Sequence, residues 1–179
     1  AGEPVAVVWN YAIHGTMLGP RNLRLSGDVM GVASLTVEAE LGVPALFVNG
    51  AVGDVSPVHH GEREMASAGR ALADAVRAAW TRAEAVEATP IAARTARVRL
   101  PTPAVSLRHC VSRWLPSWPR VPIGRFLPTE TDLVAVALGR VALVTMPGEL
   151  VTALGREIKD AARARWPHVV VAGVSNDYL

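Results

Sequence analysis

Three places in the sequence set a group capable of chemistry just after an apolar run. His14 follows WNYAI and precedes Gly15-Thr16. Asp54 and Ser56 follow FVNGAVG, and Glu149 follows Met146-Pro147-Gly148 where a helical stretch begins. An imidazole nitrogen and a carboxylate oxygen brought together from distant strands suit the ligand shell of a catalytic zinc. A serine hydroxyl beside them can hydrogen-bond a substrate or a developing oxyanion. The stretch FVNGAVGDVSP, residues 47–57, raises its own question, because two glycines, a carboxylate and a hydroxyl crowd in where a buried strand comes out. Gly50 and Gly53 would let the backbone turn sharply and approach a neighbour closely. Each group also has a plainer reading. His14 would be a hydrogen-bonded core residue, Glu149 would favour its helix N-terminus through the dipole, Asp54 would be a turn residue and Ser56 a solvated one. Singly none decides; together they stand at strand carboxyl ends, where open α/β sheets place their crevice.

The elements that must position these groups follow from periodicity. Val5–Ile13 is a near-continuous apolar run, which predicts a strand covered on both faces. A helix is predicted from Ser26-Gly27-Asp28 to about Leu41, with Ser26 or Asp28 as cap and Gly42 as stop. Pro44–Asn49 reads as a second buried strand. Glu62–Ala83 carries apolar residues at three- and four-residue spacing and reads as a long helix. Ile91–Leu100 alternates like a half-exposed strand. Asp132–Thr145 splits into two strands about a tight turn at Gly139-Arg140. Leu150–Trp166 is predicted helical and His168–Val174 a last buried strand. The expectation is an α/β fold: one layered domain over residues 1–179 with a mixed, largely buried β-sheet flanked by helices.

Composition bounds the function only broadly. The chain has 179 residues, half of them hydrophobic, enough for one proper core. Mean hydropathy is +0.26, yet no apolar run reaches the ~20 residues that span a bilayer. A net charge of +2 with scattered arginines argues against a nucleic-acid partner. One cysteine, Cys110, excludes an internal disulfide. No signal-peptide pattern is visible at the N-terminus.

The segment NYAIHGTMLGPRNLRLSGDVMGVASLTVEAELGVPALFVNGAVGDVSP resembles the neutral/alkaline (non-lysosomal) ceramidase family. That family has a strand ending in a zinc-binding His, a Ser-x-Asp-x-x-Gly helix start, and Gly-Asp-Val-Ser-Pro after a further strand. MPGELVTALGREIKD is similar to the family's Pro-Gly-Glu-x-x-Thr-x-x-Gly-Arg stretch, and VAGVSNDYL to the strand and Ser-Asn-x-Tyr that follow. The matches run in the family's order and cover most of the chain apart from roughly residues 90–130. The resemblance implies that His14 and Glu149 are zinc ligands, that Ser56 belongs to the catalytic site, and that Asp28 and Asp54 shape the site. It implies hydrolysis of an N-acyl amide bond by a zinc-activated water, on ceramide in the best-known members, and a secreted or periplasmic location. Gly53-Asp54-Val55-Ser56-Pro57 is not the G-x-S-x-G of a nucleophile elbow, so a direct nucleophilic role for Ser56 does not follow.

The family's other two ligands fall outside this sequence. One is a His upstream of Ala1, and the other a Tyr just past Leu179, which makes Tyr178 a neighbour of the ligand. The chain is therefore expected to be an incomplete portion of a larger catalytic domain, or one chain of a processed enzyme. A second polypeptide or missing segment would supply the remaining ligands and cover apolar surface. Residues 101–129 form a Pro/Trp-rich insertion with two readings. One is a lid or peripheral membrane contact for an acyl chain, and the other a segment packed on a missing part of the protein. His59, His60 and Glu62 are better read as solvated at a helix start than as a second metal site. A non-catalytic α/β scaffold or subunit stands as the alternative to a zinc amidase.

Overall fold

Within the first apolar run, Val7 and Trp9 are buried while Val8 is 66% exposed, so the strand presents one face to a core and the other outward. The computed structural model describes residues 3–86, 90–124 and 127–176. Strand β1 (Val7–Tyr11) leads through helix α1 (Asp28–Leu41) to β2 (Ala45–Asn49), which pairs with β1 in parallel, Val7 against Ala45 and Tyr11 against Asn49. Helix α2 (Glu62–Trp80) packs on α1. A core of Trp9, Ala33, Val37, Ala45 and Ala73 forms between this strand pair and the two helices. The ring of Trp9 tilts against Phe47 at 4.6 Å, and its Nε1–H donates to the Ser34 hydroxyl at 3.1 Å.

The second sheet holds β3 (Ile91–Arg99), β6 (Glu130–Leu138), β7 (Val141–Thr145) and β8 (His168–Ala172), in that spatial order. The β3–β6 and β6–β7 pairs are antiparallel. The β6–β7 turn at Gly139-Arg140 is the expected tight hairpin, with Gly139 at φ 57°. Strands β7 and β8 are parallel, joined through helix α4 (Thr152–Arg163). The architecture is thus mixed α/β, as the alternation of strands and helices predicts. The β1–β2 pair and this four-stranded sheet are separate ladders that meet where Gly173 N–H donates to Asn49 O at 3.0 Å.

Several details differ from the sequence reading. Strands β1 and β2 are covered mainly on one face, with Val8 and Leu46 exposed opposite Val7, Trp9 and Ala45, and Tyr11 exposed at the end of β1. Strand β3 is exposed along its whole length rather than on one side. Helix α1 starts after Gly27 with no side-chain cap; the Ser26 hydroxyl instead accepts the Asp28 N–H at 3.0 Å. Its expected stop holds, with Gly42 left-handed at φ 69° and bonded to Glu38 O. Residues 101–129 contain regular pieces: a small antiparallel pair of β4 (Ala104–Ser106) and β5 (Arg120–Pro122), and the one-turn helix α3 (Leu107–Cys110). Trp114 and Trp118 stand exposed there, whereas Phe126 lies outside the described residues.

Candidate functional site

Both parallel pairs send their carboxyl ends toward one region. There the chain leaves β1 for His14, β2 for the 50–57 loop, β7 for Glu149 and β8 for residues 173–176. His14 Nε2 lies 4.0 Å from Glu149 Oε2, and both side chains are partly accessible. Two ligands each ~2.0–2.2 Å from one ion cannot stand more than ~4.4 Å apart, so this nitrogen–oxygen pair fits around a single zinc. Among the described residues, no group of three or more His, Cys, Asp or Glu side chains gathers into a metal site. The pair therefore offers part of a ligand set, and Tyr178 lies outside the described residues.

The loop at 50–57 is fastened to the segment that bears Glu149. Gly53 N–H donates to Leu150 O at 2.8 Å. A Cβ on Gly53 would sit 2.5 Å from Glu149 O, which answers why a glycine is needed there. Neither Gly50 nor Gly53 has a left-handed φ, so close approach rather than a special turn is the reason for both. Asp54 crosses to α4, its Oδ1 accepting the Thr152 N–H and the Thr152 hydroxyl, each at 2.7 Å. The N-cap of α4, Val151, has no side-chain bond of its own, so Asp54 satisfies an orphan N–H from outside the helix. These bonds from Thr152, helped by the Arg156 charge, hold the Asp54 carboxyl below the usual carboxylate range. Ser56 is exposed two residues beyond Asp54, on the same loop.

The segment after His14 is held just as firmly. Asp28 is buried, and its Oδ1 accepts from Met17 N at 3.2 Å and from Val29 N at 2.8 Å. Its Oδ2 accepts from Leu18 N at 3.1 Å. The loop is also tied to the start of α2, where His60 Nδ1–H donates to Thr16 O and Gly61 N–H to Met17 O. A cleft of about 350 Å³ opens beside it, with Gly15, Asn22, Asp28 and His60 in its wall. His60 is thus engaged with main chain, and Glu62 pairs with Arg24. Asp28, Val174 and Asn176 all have φ between 49° and 71°, unusual for residues with a side chain. All three lie in the segments that frame the site, where such strain tends to collect.

Sequence reasoning missed two asparagines. Asn49 Oδ1 accepts from Ile13 N at 3.3 Å and Gly50 N at 3.0 Å, joining the residue before His14 to the start of the 50–57 loop. Asn10 Nδ2 donates to Val48 O and Val171 O, reaching both sheets. The available signal for Asn10 was its position inside an apolar run, since a polar side chain there must find partners.

No protein-family model matches the chain, and no curated protein matches it. Among solved structures, it is similar to neutral ceramidase from Pseudomonas aeruginosa, with TM-score 0.73 and 17% identity over 96% of this chain and 37% of that one. It is similar also to a ceramidase complexed with C2, with TM-score 0.74 and 16% identity over 97% of this chain and 39% of that one. The chain thus spans well under half the length of those proteins, and at such identity the likeness shows that it shares their fold over this part.

Proposed function

We propose that this chain is the ceramidase-like portion of a zinc-dependent amide hydrolase that cleaves the N-acyl bond of a lipid or related amide. The observation that carries the reading is the 4.0 Å approach of His14 Nε2 to Glu149 Oε2 beside the loop bearing Ser56. His14 and Glu149 would hold the metal. When bound, zinc supplies Lewis-acid polarisation of an amide carbonyl and a water of lowered pKa. Ser56, exposed on a loop that Asp54 and Gly53 fasten to the Glu149 segment, would hydrogen-bond the substrate or the developing oxyanion. The remaining ligands and the cover for β1 would come from a further segment or a second polypeptide. A secreted or periplasmic location, and a peripheral lipid contact through exposed Trp114 and Trp118, belong to the same reading. No described helix is long and apolar enough to cross a membrane.

Metal analysis of the full-length protein tests it. Stoichiometric zinc, lost in His14→Ala and in Glu149→Ala, is expected. Zinc content unchanged in both variants would remove these residues from the metal site. A second reading, a non-catalytic α/β scaffold or subunit, is favoured by one observation: only two candidate ligands meet among the described residues. Full-length protein that holds no zinc would support it.

A further inference from the structure

His14 sits between two main-chain anchors, and we infer that Asp28 and Asn49 are positioning residues that aim its imidazole at Glu149. The inference rests on the zinc reading for its purpose, but the anchoring itself stands on geometry alone. On one side Asn49 Oδ1 accepts the N–H of Ile13, the residue immediately before His14. On the other, the two oxygens of Asp28 accept the N–H groups of Met17 and Leu18. Between the anchors only Gly15 and Thr16 separate His14 from Met17, so the backbone carrying the imidazole has little freedom to rotate. Gly15 itself lies against Asp28, since a Cβ built on it would stand 3.4 Å from Asp28 Cβ.

Asp28 is more than a helix starter. A residue chosen only to begin α1 would have no need of a left-handed backbone, yet Asp28 has φ 49° and is buried. That conformation lets one carboxylate serve Val29 of its own helix and two amides of the His14 loop together. Acceptance of three N–H groups by an anion also compensates its burial.

The test uses the full-length protein with Asp28→Gly, Asn49→Ala and, as a control, Val37→Ala in the core away from the site. Glycine tolerates φ 49° without strain, so Asp28→Gly removes the anchor without adding steric strain to the backbone. Hydrogen exchange and zinc affinity by chelator competition are read in each. Expected in Asp28→Gly is at least tenfold faster exchange at Met17 and Leu18 with core amides still protected, and at least a tenfold weaker zinc affinity. Asn49→Ala should do the same at Ile13, whereas Gly50 keeps its main-chain bond to Tyr11 O, and Val37→Ala keeps zinc affinity. Wild-type zinc affinity in Asp28→Gly, with Met17 and Leu18 deprotected, would overturn the inference. So would an equal loss of affinity in Val37→Ala, which would reduce the effect to general destabilisation. If the wild-type protein binds zinc no better than His14→Ala, the zinc reading fails by itself. The anchoring then stands or falls on whether Met17 and Leu18 lose protection while the core keeps it.

Discussion

Asp54 Oδ1 takes two bonds from Thr152, and folding therefore favours its ionised form. A carboxyl held below its unfolded value stabilises fully above the ordinary pKa of about 3.9 and loses that contribution as pH falls through the lower folded value. Asp54→Ala should therefore lower Tm at pH 7, and the gap from wild type should close in acid, below about pH 4. Thermal melts across pH 3–7 check this; a gap constant over the range would show that the charge of Asp54 is not what α4 needs. Ser56 is a different case, exposed to solvent rather than built into the helix end. If the proposed hydrolase reading holds, Ser56→Ala in the full-length protein is expected to cut turnover about a hundredfold, the scale for losing one oxyanion or positioning donor, with zinc content unchanged. Full turnover would exclude it from the site. The structural roles of Asp28 and Asp54 were legible in outline from their motifs. The pairing of Asp54 with Thr152, although Thr152 stands in the Pro-Gly-Glu-x-x-Thr stretch, and the role of Asn49 were not, because a bond that spans 98 residues, or one accepted from a strand-end amide, leaves no local pattern.

At the level of elements, the glycine-rich loop tests close packing. A methyl on Gly53 would meet Glu149 O at 2.5 Å, and the loop or the Glu149 segment must then move. Gly53→Ala is expected to cost ~1–3 kcal/mol, as overpacking does, and to lower zinc affinity with it. Gly31 in α1 is the counterpart, with nothing within 4 Å of a Cβ built there. Gly31→Ala should stabilise the fold by ~0.5–1 kcal/mol through helix propensity. Denaturant titration of both separates steric need from mere presence of glycine; equal effects would refute the distinction. The helices and the β6–β7 hairpin were legible because their signals are local: three- and four-residue spacing, Gly42 as stop, Gly139-Arg140 as turn. The one-sided burial of β1 and β2 was not. An apolar run predicts what a strand can bury, whereas its neighbours decide what it does bury.

For the whole molecule, β1 stands at the edge of its strand pair among the described residues. Val8, Tyr11 and Leu46 are exposed on the first strand pair, and an apolar groove of about 420 Å³ runs between β1 and Leu72, Val76 and Trp80 of α2. An uncovered edge with such a groove invites association. The 179-residue chain alone should therefore self-associate in light scattering; under the proposed reading, a further segment or second polypeptide would cover the groove with an apolar interface above ~1,200–2,000 Å². A monodisperse monomer of the isolated chain would show that the edge needs no cover. The bonds that frame the site have a further consequence, for the order of folding. Asn10 meets Val171 across 161 residues, and Asp54 meets Thr152 across 98. Closing loops that long is slow compared with forming a helix, because chain entropy opposes it before any contact returns. Helices α1 and α2 and the β6–β7 hairpin can form early from near neighbours, so the candidate site is expected to be the last part of the chain to mature, and a partly folded molecule would lack it.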